Sequence, residues 1–80
     1  MKVNTLFFGI TTDLVGASSL QINVEENTII KDFKLILLET YSQLENINSY
    51  AIAVNEEYAT DELVLKENDT VAIIPPVSGG

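Results

Sequence analysis

The chain has 80 residues, of which 46% are hydrophobic and 20% charged, so it predicts one small domain with a thin core and no deep enzyme cleft of its own. Four lysines, no arginine and twelve acidic residues give a net charge of −8, which argues against binding to nucleic acid or to an anionic membrane surface. Cysteine and histidine are absent, which excludes thiolate or imidazole catalysis and the usual zinc ligands.

The N-terminal part of the chain predicts two paired strands. Residues 2–8 are rich in β-branched and aromatic side chains, and residues 20–24 alternate apolar with polar side chains, so both segments predict strands. Between them, residues 12–15 predict a short helical turn, which Gly16 closes because glycine adopts a positive φ without a Cβ penalty. The chain then turns back, so we expect the two strands to be antiparallel.

The main helix is predicted over residues 29–41. Its apolar side chains recur at helical spacing, and Thr28 before it is a favourable N-cap residue. Leu35 and Leu38 lie away from the main apolar stripe, which indicates either deeper burial or an extra contact surface, and burial is the preferred interpretation. Residues 42–49 are compatible with a loop or with a ragged helical turn.

The remaining elements are strands. Residues 50–54 alternate large apolar side chains with alanine, which predicts a third strand. Asn55 is suited to a turn, residues 56–59 continue as a short strand, and residues 70–74 form the last strand. The order strand, strand, helix, strand, short strand, strand predicts an α+β fold in which one main helix packs across a mixed sheet.

The C-terminal tail has a different composition from the rest of the chain. Residues 75–80 read PPVSGG, and proline cannot donate to a sheet ladder, so we divide the chain into a domain at 1–74 and an extended, flexible arm at 75–80. Six extended residues reach at most about 20 Å. Two terminal glycines can enter a narrow channel, and the ionised terminal carboxylate could attack a nucleotide phosphate. A frayed terminus is the alternative interpretation.

No segment predicts a membrane span or a secretory signal. The apolar run at residues 71–77 is interrupted by two prolines and is far shorter than the about 20 residues that a spanning helix needs. The short apolar stretch near the N-terminus lacks a small-residue cleavage pattern. We therefore expect a cytoplasmic protein.

The ending PPVSGG resembles the C-terminus of the MoaD family of sulfur carriers, the small subunits of molybdopterin synthase. The rest of the chain is similar to that family at comparable spacing. The matching segments are Leu6-Phe7-Phe8, residues 13–16 (DLVG), residues 53–59 (AVNEEYA) and residues 68–76 (NDTVAIIPP).

The resemblance implies a ubiquitin-like β-grasp fold and a mechanism centred on Gly80. An ATP-dependent adenylyltransferase of the MoeB type would adenylate the Gly80 carboxylate, and a sulfur donor would convert it to a thiocarboxylate. The arm would then enter a large, MoaE-like subunit, where the sulfur passes to cyclic pyranopterin monophosphate during molybdenum cofactor biosynthesis. Two carriers and a large-subunit dimer would form a heterotetramer, so the chain is a sulfur-donating subunit rather than an autonomous enzyme, with no bound cofactor and no metal.

The resemblance also implies which residues contact the large subunit. Phe8, Tyr58 and Ile74 match the apolar contact surface of the family, although each is equally compatible with ordinary core packing. The inserted arm comprises Pro75, Pro76, Val77, Ser78 and Gly79 before the reactive Gly80.

One turn departs from the family pattern, and one acidic segment is a candidate metal site. Many family members have an Arg-Glu pair after the first strand, whereas this chain has Thr12-Asp13, which leaves one partner contact in doubt. The carboxylates of Glu56, Glu57, Asp61 and Glu62 lack the spacing of a calcium loop, so a solvated acidic face is preferred over a metal site.

Other destinations for the tail remain open. A related sulfur carrier could serve thiamin thiazole synthesis or tRNA thiolation with the same activated Gly80. Alternatively, the chain could be an acidic interaction module with an unreactive tail.

Overall fold

A mixed five-stranded sheet with one long helix across one face forms the computed structural model of this chain. The structure describes residues 1–46 and 50–75. The elements in chain order are β1 (Lys2–Phe7), α1 (Ile10–Val15), β2 (Ser19–Asn23), α2 (Ile30–Thr40), a 3₁₀ helix (Ser42–Asn46), β3 (Ala51–Val54), β4 (Glu57–Tyr58) and β5 (Thr70–Ile74).

The sheet has the strand order β2-β1-β5-β3-β4. β1 and β5 are parallel at its centre, and every other neighbouring pair is antiparallel. A central parallel pair flanked by antiparallel strands, with one helix packed on a single face, is the β-grasp arrangement. The predicted fold class and the predicted antiparallel pairing of β1 with β2 are therefore confirmed.

The core lies between α2 and one face of the sheet. Side chains alternate along the strands, so every second residue of β1 and β5 points toward the helix. Each fully buried aliphatic or aromatic side chain contributes about 1.5–3 kcal/mol through removal of apolar surface from water. The residues that form this core from the three central elements are Val3, Phe7, Ile30, Phe33, Leu37, Val71 and Ile73.

The predicted N-cap of α2 is wrong. The Thr28 hydroxyl donates to the Glu25 carbonyl oxygen at 2.6 Å, and Ile29, the actual N-cap, makes no side-chain capping bond. A later loop satisfies the first helical donors instead, so local capping is not needed. Its hydrogen bonds, both 3.0 Å long, run from the Ile30 N–H to the Leu63 carbonyl oxygen and from the Lys31 N–H to the Asp61 carbonyl oxygen.

The preferred burial of Leu35 and Leu38 is also wrong. Leu35 is 54% exposed and Leu38 is 37% exposed, whereas Leu37 between them is 0% exposed. The sheet covers only one side of α2, and these two leucines lie on the sides that it does not cover. They are an exposed apolar surface.

Two short helices lie at the predicted helical turn 12–15 and in the region 42–49. α1 begins at Ile10, two residues before the predicted start, and Gly16 ends it with φ 86°, as expected for a left-handed C-cap. A 3₁₀ helix occupies the first part of the open region 42–49 and buries Leu44. In the described ranges, the helices are all too short or too polar to cross a bilayer.

Two leucines on α2 provide a matched test of this packing. Leu37→Ala should lower the free energy of unfolding by about 2–5 kcal/mol, because it leaves a cavity in the core. Leu35→Ala, the same change on the exposed side, should alter it by about 0.5 kcal/mol or less. Urea unfolding followed by circular dichroism measures both, and similar losses in the two variants would contradict the assigned helix orientation.

Candidate functional site

The face of the sheet opposite α2 carries a continuous row of apolar side chains. Register places Leu6 beside Ala72, Ala72 beside Ala53, and Ala53 beside Tyr58, so the row crosses β1, β5, β3 and β4. Ala51 and Ile74 pair in the next row. The three alanines have small side chains and form the floor of this surface. We define the outer face as seven residues: Leu6, Phe8, Ala51, Ala53, Tyr58, Ala72 and Ile74.

Large apolar side chains stand at both ends of the outer face. Phe8 is 48% exposed and Tyr58 is 78% exposed, so neither belongs to the core, while Ile74 is half-buried. Exposed apolar side chains on one face are typical of contact surfaces, so the outer face is the candidate site. Their role in binding a particular partner stays a prediction.

A tight hairpin positions Tyr58. Asn55 and Glu56 both have positive φ, 51° and 73°, which is the backbone of a type I′ turn and sets the register of β4 on β3. The Asn55 side chain fixes this turn to the start of β5: its amide donates to an Asp69 carboxylate oxygen at 3.0 Å, and its oxygen accepts the Thr70 N–H at 3.0 Å. Tyr58 is therefore held opposite Ala53 on the outer face.

The turn between β1 and α1 contacts the start of the C-terminal arm. Gly9 has φ 56° and ψ −135°, a conformation that is accessible almost only to glycine. A Cβ at Gly9 would lie 3.1 Å from Cγ of Pro75, so the missing side chain makes room for that ring. The buried Thr11 hydroxyl accepts the Phe8 N–H and donates to the Phe8 carbonyl oxygen, which holds the turn closed.

The structure describes four of the predicted site residues. Phe8, Tyr58 and Ile74 lie on the outer face. The half-buried Pro75 directly follows the last residue of β5. The predicted arm residues Pro76, Val77, Ser78, Gly79 and Gly80 lie outside the described residues.

Sequence reasoning missed two parts of the site. It did not identify the alanine floor, although Ala51 and Ala53 alternate with the larger Ile52 and Val54 along β3, and alternate residues of a strand lie on opposite faces of the sheet. It also missed Gly9, because the close approach to Pro75 joins residues from the two ends of the chain.

The described side chains offer little catalytic chemistry. Burial raises the pKa of the Tyr50 phenol above its ordinary value, because the charged phenolate is disfavoured away from water. Within residues 1–46 and 50–75, no three acidic side chains are grouped closely enough to hold a metal ion. The described geometry therefore offers an apolar surface and a fixed start for the C-terminal residues rather than a cluster of polar groups.

Comparisons with known proteins agree with this geometry. The model of the ThiS family matches residues 5–80. The molybdopterin synthase sulfur carrier subunit of Caenorhabditis elegans is 35% identical over 83 residues, which cover 100% of this chain and 99% of that protein.

Solved structures extend the comparison to the fold. SAMP1 from Haloferax volcanii matches with a TM-score of 0.88 and 20% identity, covering 100% of both chains. A chain in the complex of subunits 1 and 2 of molybdopterin-converting factor from Helicobacter pylori matches with a TM-score of 0.70 and 28% identity, again covering 100% of both chains. The likeness therefore spans the whole β-grasp domain.

Gly9 and Gly16 provide a matched test of the contact with Pro75. Gly9→Ala should destabilise the fold by about 1–3 kcal/mol, because alanine is strained in this backbone conformation, and should shift the Pro75 side-chain resonances in NMR spectra. Gly16→Ala is also strained at positive φ but has open space around it, so it should cost about 1–2 kcal/mol and leave Pro75 unchanged. Unchanged Pro75 resonances in the Gly9 variant would show that this contact does not position the start of the arm.

Proposed function

Because this chain belongs to the ThiS family, we propose that it is the sulfur carrier and small subunit of a molybdopterin synthase. The observation that carries the proposal is the full-length similarity to molybdopterin synthase sulfur carrier subunits. The alignment covers 100% of this chain and therefore extends over its PPVSGG ending.

The proposed chemistry takes place at Gly80. An ATP-dependent, MoeB-like adenylyltransferase activates its carboxylate, since adenylation turns a poor acyl group into one that a sulfur nucleophile can attack. A sulfur donor then displaces AMP and leaves a thiocarboxylate. This terminal sulfur is donated to cyclic pyranopterin monophosphate in the large subunit, and the ATP and the substrate are bound by the partners rather than by this chain.

The outer face is proposed to dock on a MoaE-like large subunit. The Helicobacter pylori relative is a complex of two subunits, which supports a large-subunit partner. Phe8, Tyr58 and Ile74 would bury their exposed apolar surface there, and the arm that begins at Pro75 would enter the partner. Two carriers on a large-subunit dimer would form the heterotetramer, located in the cytoplasm.

The net charge of −8 fits a carrier that visits several enzymes in turn. Long-range attraction to basic surfaces around the partners' pockets raises the rate of association without requiring tight binding. A sulfur carrier must dissociate after each transfer, so fast association combined with a modest contact area suits it.

Intact-mass spectrometry tests the carrier chemistry directly. After incubation with ATP, an activating enzyme and a sulfur source, the mass should rise by the replacement of one oxygen with sulfur, localised to Gly80. A variant with one residue added after Gly80 should stay unmodified, because the reactive carboxylate is displaced. If the unmodified chain shows no shift while the same enzyme charges another carrier, the chain is an interaction module with an unreactive tail. A mass shift combined with a thiamin requirement in a deletion strain would reassign the acceptor to thiazole synthesis.

Substitutions on the outer face test the docking surface. Tyr58→Ser should keep the thermal unfolding temperature nearly unchanged, because the ring is 78% exposed, yet weaken binding to the large subunit at least about tenfold. Adding Ile74→Ser should weaken binding further. Leu35→Ser removes an apolar side chain that is 54% exposed on α2, away from the outer face, and should bind normally. Collapse of the fold in the Tyr58 variant, or equal binding by all variants, would contradict the proposed interface.

A further inference from the structure

Within residues 1–46 and 50–75, no strand pairs with the outer edge of β2. At one end of its ladder with β1, Met1 and Val24 exchange hydrogen bonds of 2.8 and 2.9 Å. Because paired residues in an antiparallel ladder alternate between bonded and non-bonded positions, even-numbered residues of β2 point their N–H and C=O groups toward β1. The odd-numbered residues direct theirs outward, and β2 is the outermost strand of the sheet. The outward residues are Ser19, Gln21 and Asn23.

A groove lies at the C-terminal end of this edge, where Asn23 of β2 and the residues after it face α2; we call it the β2–α2 groove. It has a volume of about 570 Å³, and Val24 and Ile36 form its apolar part. Leu20 and Ile22, on the helix side of β2, are only half-buried. Alternate apolar residues of an added strand would therefore find partly covered apolar neighbours here, as in peptide recognition by sheet extension.

β2 lacks the usual protection of an edge strand. Its five residues, SLQIN, include neither proline nor a charged side chain, although charges and prolines commonly prevent unwanted pairing at edges. β4, at the opposite edge, has only two residues and is too short to accept a strand. Of the two sheet edges in the described part of the chain, β2 is thus the one that can accept a strand.

The charges around the groove select its occupant. Glu25 and Asp32 both line it, and both side chains are exposed. Its other lining residues are neutral, so the local field favours a cationic segment. A second copy of this chain would bring another net charge of −8 and is disfavoured by repulsion.

We propose that the β2 edge and the β2–α2 groove bind an extended segment of a partner protein, with apolar side chains at alternate positions and lysine or arginine beside them. The segment adds a sixth strand by bonding to the outward groups of Ser19, Gln21 and Asn23. The groove lies on the helix side of the sheet, away from the outer face, so both surfaces can be occupied together. The proposal does not depend on the sulfur carrier function.

Amide hydrogen exchange tests the proposal with a defined probe. The probe is a blocked peptide in which valines alternate with threonines and lysines flank both ends, added to the full-length, isotope-labelled chain. Binding should slow exchange at Ser19, Gln21 and Asn23 and leave Leu20 and Ile22 unchanged, because those two amides already face β1. The same peptide N-methylated at alternate amides should not bind, since it cannot complete the ladder.

Matched variants test the charge selection. Glu25→Gln with Asp32→Asn should weaken binding of the lysine-flanked peptide by about twofold to fivefold per charge, as expected for exposed ion pairs. Glu39→Gln with Glu45→Gln removes the same charge from residues that do not line the groove, so binding should change little.

Four results would overturn the proposal. The first is equal binding of a glutamate-flanked peptide, and the second is retained binding of the N-methylated peptide. The third is no change in exchange at any of the three outward amides at millimolar peptide. The fourth is concentration-dependent protection of those amides without peptide, together with a dimer mass in sedimentation, which would assign the edge to a second copy of the chain.

Discussion

The parallel pairing of β1 with β5 is the constraint on which the rest of the molecule depends. It joins the first strand to the last at the centre of the sheet, with Asn4 beside Thr70 and Phe7 beside Ile73. Because the two strands are parallel, their C-terminal ends lie side by side at the same end of the sheet. The turn at Gly9 therefore lies against Pro75, and the C-terminal arm starts next to a structured turn rather than from an isolated strand end.

The two faces of the sheet are covered unequally. A chain of 80 residues has enough apolar side chains for one core, and α2 covers only one face of the sheet. On the opposite face, three alanines lie between Phe8 and Tyr58, so this face is apolar and these two large side chains stay exposed. This apolar face lies beside Pro75, the residue that follows β5.

Much of the fold and part of the site were predictable from local patterns. Period-two alternation identified the strands, helical spacing identified α2, and Gly16 closed α1 as expected, because each of these signals depends on neighbouring residues alone. Phe8 and Tyr58 were singled out by resemblance, but their side chains could equally have been core. Their exposure follows from the absence of a second layer of described structure over that face, which a linear pattern does not reveal.

The sequence by itself determined the fold class, the absence of cysteine and histidine chemistry, and the diglycine ending. Composition and periodicity encode these features directly. The tertiary structure alone decided that distant loop carbonyls rather than Thr28 cap α2, that Leu35 is exposed, and that Gly9 accommodates Pro75. Each of these depends on contacts between residues far apart in the chain. Such contacts are set by strand order and register, which no local sequence signal specifies.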